Sequence, residues 1–190
     1  MLFDVETDPV LRSQILERFA AELMTDVERA RLFGLPEGCR IRERAKILAP
    51  EKLKCGKHIW IGEGTILDAQ GGLEIGDYTQ IGTGVMIWTH SSYKQAILGE
   101  TGRTREHIEY KQTKIGSRVF IAGPSVVLPG VTIGDGAIIQ PLTLVSRDIL
   151  PSEAYGTALE MRRMARRIEA LEATLSERSQ ASSFSSENSA

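Results

Sequence analysis

The chain has 190 residues, of which 42% are hydrophobic, and its formal net charge is −2. This length predicts one buried domain with short appendages, and the near-neutral charge argues against nucleic acid as the main partner. Cys39 and Cys55 are the only cysteines and lack a Cys-x-x-Cys spacing, so we expect no disulfide framework and no cysteine zinc site, which fits the cytoplasm. No apolar run has the length of a membrane span, and the acidic start is unlike a secretory signal.

The first predicted element is helical and belongs to an N-terminal segment of residues 1–46. Apolar residues at spacing four predict a helix within residues 8–33. The spacing of Thr25 and Glu28 matches a capping box, which predicts a second short helix that ends at Gly34. We expect this segment to pack beside the structure that follows it.

Residues 47–150 carry an internal repeat of six residues. An aliphatic residue recurs at each sixth position, apart from a two-residue insertion at Gly71-Gly72 and a long interruption after Ile87. The recurring positions are Ile61, Leu67, Ile75, Ile81, Ile87, Ile115, Ile121, Val127, Ile133, Ile139 and Val145. Counting backwards by six reaches Cys55 and Ala49, so Cys55 is interpreted as a small core residue.

A period of six predicts short strands that alternate with sharp turns and stack so that one aliphatic column is buried. A glycine after many of the aliphatic residues would supply the backbone freedom that a tight corner needs. An antiparallel sandwich would need turn signals spaced at roughly 8–12 residues and gives no reason for a fixed six. The repeat therefore favours a solenoid.

The interruption, residues 88–114, begins after the isoleucine of the stretch IWTHSSY. Loops of this length inside a compact domain usually have a function or are disordered. His90 stands at its start, and an imidazole suits general-base chemistry near neutral pH. A lone histidine by itself would more often be structural, so its position in the break carries the interpretation.

Residues 151–178 predict a C-terminal helix. Met161, Met164, Ile168, Leu171 and Leu175 recur at alternating spacings of three and four. This pattern fits both the seam of a short coiled coil and one helix lying on the body of the protein. Four neighbouring arginines, Arg162, Arg163, Arg166 and Arg167, could bind an anion or form a solvated face. Residues 179–190 lack a core-forming pattern and are predicted to be disordered.

The repeat resembles the hexapeptide-repeat acyltransferases, above all in the stretch IGSRVFIAGPSVVLPGVTIGDGAIIQPLTLVSRDI. The resemblance implies a mainly β fold, a left-handed parallel β-helix, in a homotrimer with active sites between neighbouring subunits. It also implies acetyl-CoA as the donor and no metal. Similarity to the maltose, galactoside and polysaccharide O-acetyltransferases implies a sugar hydroxyl or a polysaccharide precursor as the acceptor.

The resemblance also assigns roles on the acceptor side. His90 matches the catalytic base of the family, and Glu109 matches the acid that hydrogen-bonds its imidazole. Asp68 matches an acceptor-binding aspartate. Trp88 and Tyr93 flank His90 and are candidates for a platform on which a sugar ring stacks, although aromatic residues at the base of a loop also serve as hinge packing.

On the donor side, Phe120 matches an aromatic residue that lines the pantetheine groove. The resemblance implies contacts from backbone amides near Ala122 and Gly123 to the pantetheine arm or the thioester. Ser146 and Arg147 stand where a Thr-Lys pair of the family approaches the adenosine phosphates, and arginine preserves the charge.

Three other functions are alternatives to O-acetyl transfer. An N-acyltransferase acting on a nucleotide-linked amino sugar or an amine xenobiotic would keep the donor, but an amine needs less help from a base. A γ-class carbonic anhydrase needs three metal-binding histidines, and the spacing of His58, His90 and His107 does not match. A non-enzymatic scaffold has no need of His90 and Glu109, and the fold alone does not decide among these functions.

Overall fold

A computed structural model of the chain describes residue 13, residues 22–100 and residues 105–187, with side chains as far as residue 177. A parallel β-solenoid of about six turns is flanked by a short N-terminal helix and a long C-terminal helix. The predicted fold class is therefore confirmed. Of the helix predicted within residues 8–33, the part before residue 22 lies, except for residue 13, outside the described residues.

The strands form three parallel sheets, one on each face of the solenoid, because each of the first four turns of chain contributes one strand to every face. Face A contains β1 (Arg40–Ile41), β4 (Trp60–Ile61), β7 (Gln80–Ile81), β12 (Phe120–Ile121), β15 (Ile138–Ile139) and β17 (Ala154–Tyr155). Face B contains β2 (Lys46–Leu48), β5 (Ile66–Asp68), β8 (Met86–Ile87), β13 (Val126–Val127) and β16 (Leu144–Val145). Face C contains β3 (Leu53–Cys55), β6 (Leu73–Ile75), β11 (Thr113–Ile115) and β14 (Thr132–Ile133).

The aliphatic residues of the repeat form the core. Every predicted position from Ile61 to Val145 is at most 3% exposed. The strands pair in register, so that Ile81 lies beside Ile121 and Ile121 beside Ile139. Equivalent residues of successive turns therefore cover one another, which confirms the predicted buried column.

The first turn departs from the backward count. Ile47 rather than Ala49 pairs with Leu67 and is buried, whereas Ala49 has a φ of 55° and precedes a 3₁₀ helix at Pro50–Lys52. The pairing of Leu53 with Leu73 shows that this turn contains the same insertion as the next one. Counting by six misses that insertion because no Gly-Gly marks it.

Cys55 lies on β3 and packs against the core while remaining half-buried. Burial and the neighbouring Cys39 raise the pKa of the Cys55 thiol to about 12. The thiol therefore stays protonated and acts as a small apolar group, in agreement with the interpretation of its sequence position.

The glycines that follow the aliphatic residues are needed for space rather than for an unusual φ. A Cβ on Gly62 would lie 2.5 Å from the nitrogen of Thr83, and one on Gly82 would lie 2.6 Å from that of Gly123. Positive φ occurs two residues later, as at Gly84 with 69°. Close approach between successive turns, not backbone freedom, therefore explains glycine after the aliphatic residue.

Helix α1 (Asp26–Leu32) packs beside the first turn. Its capping box is present as predicted, since the N–H of Glu28 donates to the Thr25 hydroxyl and the N–H of Thr25 donates to the Glu28 carboxylate. The buried guanidinium of Arg29 donates to the carbonyls of Ile41 and Met24. The bond to Ile41 joins the helix to face A.

The C-terminal end differs from the predicted boundaries. Ile149 bridges Ile133, and β17 pairs with β15, so residues up to Tyr155 belong to the solenoid. The sequence does not show this strand because Ala154-Tyr155 lacks the aliphatic signature.

The last helix, α3 (Thr157–Glu187), starts after Gly156 and extends into the segment from residue 179 that composition predicts to be disordered. The absence of proline and glycine between its ends permits this length. Among the described residues, no helix combines the length and apolarity that crossing a bilayer requires.

The burial of the aliphatic column can be tested by comparing an inward with an outward residue of one strand. Ile139→Ala should lower the free energy of unfolding by about 2–5 kcal/mol, because Ile139 is fully buried and the truncation leaves a cavity. Ile138→Ala, at a position 50% exposed on the outer side of the same strand, should cost less than about 1 kcal/mol. Urea denaturation measures both, and equal losses would contradict the assignment of inward and outward positions.

Candidate active site

The described residues of the interruption form an excursion at the corner between faces B and C. Strand β9 (His90–Ser91) leaves the solenoid, helix α2 (Tyr93–Leu98) follows, and β10 (Glu109–Tyr110) returns antiparallel to β9. At its base, the N–H of Lys111 donates to the Thr89 carbonyl and the Thr113 hydroxyl donates to the Trp88 carbonyl, both at 2.8 Å. His90 is therefore held by a paired ribbon rather than by a free loop.

The imidazole of His90 lies against a carboxylate from the preceding turn. Its Nδ1 is 2.6 Å from Oδ2 of Asp68, the last residue of β5. The Asp68 side chain is fully buried, whereas that of His90 is 19% exposed. Among the described residues Nε2 forms no hydrogen bond, so one ring nitrogen is fixed and the other is available.

Asp68 is surrounded by donors. Oδ2 accepts hydrogen bonds from the N–H and the hydroxyl of Thr89 at 2.8 Å and 3.0 Å, and Oδ1 accepts one from the N–H of Gln70 at 3.1 Å. Burial raises the pKa of Asp68, but the hydrogen bonds from Thr89, His90 and Gln70 outweigh it, so the net pKa is lowered. The ionised carboxylate can only accept, which places the imidazole proton on Nδ1 and a lone pair on Nε2.

Two aromatic rings flank the imidazole. Trp88 meets His90 edge-on with ring centroids 6.3 Å apart, and Tyr110 stacks on it at 6.1 Å. Tyr110 was not among the residues predicted for the site. The available signal was its position directly after Glu109. It reaches His90 because β10 pairs Tyr110 opposite His90.

The structure moves the carboxylate contact of His90 from Glu109 to Asp68. Glu109 instead accepts a hydrogen bond from Lys94 at 2.6 Å, and the Tyr93 hydroxyl lies 3.5 Å from it. The hydrogen bond and charge of Lys94 lower the pKa of Glu109. Antiparallel pairing causes the change, because adjacent residues of a strand point to opposite sides, and Tyr110 rather than Glu109 lies opposite His90.

Asp68 is also unsuited to the acceptor-binding role that the resemblance implies. A fully buried carboxylate whose oxygens already accept four hydrogen bonds has no surface for a sugar hydroxyl. Sequence position alone does not distinguish a corner aspartate that faces a cleft from one that faces the next turn. In the structure the carboxylate of Asp68 instead contacts the imidazole of His90.

The donor-side residues lie elsewhere on the solenoid. Phe120 is 45% exposed on face A, and Ala122 and Gly123 follow it at the corner between faces A and B. The N–H of Ala122 donates to the Ile139 carbonyl at 2.9 Å, so this amide is already used within the sheet. One chain does not bring these residues to His90, which stands at a different corner.

Ser146 and Arg147 share the corner of His90, two turns farther along, because β16 pairs with β13 and β13 with β8. The Arg147 guanidinium donates to the Glu153 carboxylate at 2.8 Å and lies 4.5 Å from the centre of the Tyr155 ring. It therefore has partners within the chain. Contact with a phosphate would have to compete with Glu153.

The other two histidines have structural surroundings. His58 stacks on Tyr78 with ring centroids 4.9 Å apart, and His107 pairs with Glu100 at 2.6 Å. Across the part of the chain that the structure describes, no three His, Cys, Asp or Glu side chains converge as metal ligands would.

Comparison with known proteins identifies the family. No family model matches the chain. The fold is shared with a hexapeptide-repeat acetyltransferase of Vibrio cholerae at a TM-score of 0.62, with 22% identity over 75% of this chain and 83% of that one. A protein of Escherichia coli K12, provisionally named colanic acid biosynthesis acetyltransferase WcaF, is 32% identical over 72% of this chain and 69% of its own length. The chain belongs to the hexapeptide-repeat acetyltransferases.

A second solved structure supports the same fold for this acetyltransferase. A maltose O-acetyltransferase of Clostridium difficile 630 matches with a TM-score of 0.60 and 21% identity, over 77% of this chain and 79% of that one. At this identity the likeness concerns the architecture alone, so the chemistry of this acetyltransferase has to be argued from its own site.

The charge state of Asp68 makes the stability of the acetyltransferase depend on pH. Asp68→Asn should lower the free energy of unfolding by about 1–3 kcal/mol near neutral pH, because donors aimed at the carboxylate lose their partner. Since the folded pKa of Asp68 is lowered, the wild-type advantage is fully present above the unfolded pKa of about 3.9. It should be lost as the pH falls through the lower folded pKa.

Urea denaturation of both proteins from neutral pH to about pH 2.5 measures this difference. An advantage that stays constant, or that grows on acidification, would contradict an ionised Asp68.

Proposed function

We propose that this acetyltransferase moves an acetyl group from acetyl-CoA to a hydroxyl of a saccharide or a polysaccharide precursor, with His90 as general base. The observation that carries the proposal is the Asp68–His90 pair, in which Nδ1 is bound at 2.6 Å and Nε2 is available. The relative in Escherichia coli, named for colanic acid biosynthesis, supports a saccharide acceptor. A solved Vibrio cholerae acetyltransferase complexed with acetyl-CoA supports the donor.

The proton balance follows from the tautomer. Nε2 of His90 takes the proton of the acceptor hydroxyl while the oxygen attacks the thioester carbonyl and a C–O bond forms. The C–S bond then breaks, and the imidazolium returns the proton to the leaving thiolate. Asp68 keeps the Nδ1 proton in place and stabilises the imidazolium between the two steps.

The site favours a hydroxyl over an amine as the acceptor. A neutral amine attacks with its own lone pair and loses its proton later, whereas a hydroxyl is a weak nucleophile until a base removes its proton. A buried carboxylate that orients a base is therefore most useful for O-acetylation. Trp88 and Tyr110, whose rings both lie beside that of His90, supply apolar surface for a sugar ring.

A trimer with shared sites completes the proposal. Phe120 and Gly123 lie at a different corner from His90, so the pantetheine groove of one subunit has to meet His90 of its neighbour. Cyclic association of identical subunits brings two different corners together once per interface. In that arrangement Ser146 and Arg147, on the His90 corner, remain candidates for contact with the CoA phosphates.

Removing the base should abolish most of the rate. His90→Ala should lower kcat for a sugar hydroxyl acceptor by at least about a hundredfold, the lower range for general-base catalysis. Asp68→Asn should lower kcat to a similar extent, because the Nδ1 tautomer is no longer favoured. The measurement is thiol release from acetyl-CoA across matched sugars, amino sugars and nucleotide sugars.

Glu109→Gln is the control for this series, since Glu109 contacts Lys94 rather than His90, and it should change kcat by less than about fivefold. Full activity of a folded His90→Ala protein would refute the base assignment. Stimulation by amines alone would instead identify an N-acetyltransferase. A large loss in Glu109→Gln with none in Asp68→Asn would restore the original assignment of Glu109.

Complementation tests whether the site is shared. His90→Ala and Phe120→Ala subunits are each expected to be impaired, whereas random mixing should restore about a quarter of the sites, each combining wild-type His90 and wild-type Phe120 from neighbours. The measurement is acetyl transfer after co-expression of differently tagged chains, with subsaturating acetyl-CoA. No recovery in isolated mixed trimers would place both residues of a site in one chain.

A further inference from the structure

Helix α3 carries an apolar stripe that the described residues of its own chain leave exposed. Met161, Met164, Ile168, Leu171 and Leu175 are 65%, 63%, 55%, 56% and 64% exposed. Five large apolar side chains on one helix face form the kind of contiguous exposed surface that marks an interaction site. The alternative in which α3 lies on its own solenoid is excluded for this part of the helix, because every side chain from Met161 to Glu177 is exposed.

The spacing of the stripe is that of a coiled-coil seam. Met161, Ile168 and Leu175 are seven residues apart and occupy one seam position, and Met164 and Leu171 occupy the other. When a helix packs against a sheet or against several helices, its apolar stripe is usually broader. This narrow seam is suited to other helices of the same kind.

Charges beside the seam fit identical parallel helices. Arg167 precedes the seam residue Ile168, and Glu172 follows the seam residue Leu171, which places them at the two flanking positions of the heptad. In a parallel, in-register arrangement, Arg167 of one copy lies beside Glu172 of the next. Ala170 and Ala173 lie at outward positions, where their small side chains need no contact with another helix.

We propose that α3 of three subunits forms a parallel helical bundle through this stripe, joining copies of the chain at the end of their solenoids. The inference rests on the trimer of the proposed function. A seam of two heptads is too short to associate strongly alone, but subunits already held together present their helices at high local concentration. The solenoids therefore set the number of helices at three, whereas Ile168 and Leu171 in an isolated coiled coil would favour two.

A pair of double variants tests the contact. Ile168→Asp with Leu171→Asp places charges in the seam, whereas Ala170→Asp with Ala173→Asp adds the same charges and a similar helix penalty on the outward side. Sedimentation equilibrium over a concentration series measures dissociation. The seam variant should raise the concentration at half dissociation by at least about tenfold, and the outward variant by less than about threefold.

Cross-linking locates the partner. Leu175→Cys should cross-link to Leu175→Cys of another subunit with a short bis-maleimide, and Ala173→Cys should do so much less, with the unsubstituted chain as the control for Cys39 and Cys55. Cross-linking of residue 175 to a solenoid, or equal yields at 173 and 175, would overturn the bundle.

If the wild type is a trimer and both double variants dissociate at the same concentration, the bundle is overturned. The proposed trimer and its chemistry would then remain intact. A monomeric wild-type chain would overturn the bundle and the shared site together. Failure of the acetyl-transfer proposal would appear separately, in the His90 and Asp68 variants.

Discussion

Mutual covering of aliphatic side chains between successive turns is the interaction on which the rest of this protein depends. Strands of two or three residues are too short to be stable as isolated pairs. They persist because Ile81, Ile121 and Ile139 lie in register, so that each turn buries the apolar surface of the one before it. The close contacts at Gly62 and Gly82 have the same origin, since turns stacked at sheet spacing leave no room for a Cβ.

This stacking also explains how a long excursion is tolerated and how it becomes useful. Ile75 pairs with Ile115 and Ile87 with Val127, so the column continues across the inserted residues. The excursion departs from one turn while Asp68 ends a strand of the turn before. The buried carboxylate and the imidazole are thus positioned by the stacked turns of the solenoid, which is what the proposed general base with a defined tautomer would require.

The two ends of the solenoid are packed in different ways. Helix α1 is joined to the solenoid by the buried Arg29, which donates to the Ile41 carbonyl, and by the ion pair of Asp26 with Arg40. Helix α3 leaves the last turn and presents its apolar stripe outward. A solenoid needs caps at both ends because its terminal turns have one uncovered side, and the proposed helical bundle would connect the second end to association with other copies.

The sequence by itself determined the solenoid, the inward residues from Ile61 to Val145, the capping box and the place of His90, because each depends on a short local period or spacing. It did not determine the first-turn insertion or the strand at Ala154–Tyr155, whose residues lack the periodic signature. Only the tertiary structure decided that Asp68 rather than Glu109 holds the imidazole and that Tyr110 stacks on it. Those contacts join residues of different turns and strands, and their geometry follows from register and antiparallel pairing, which no spacing along the chain encodes.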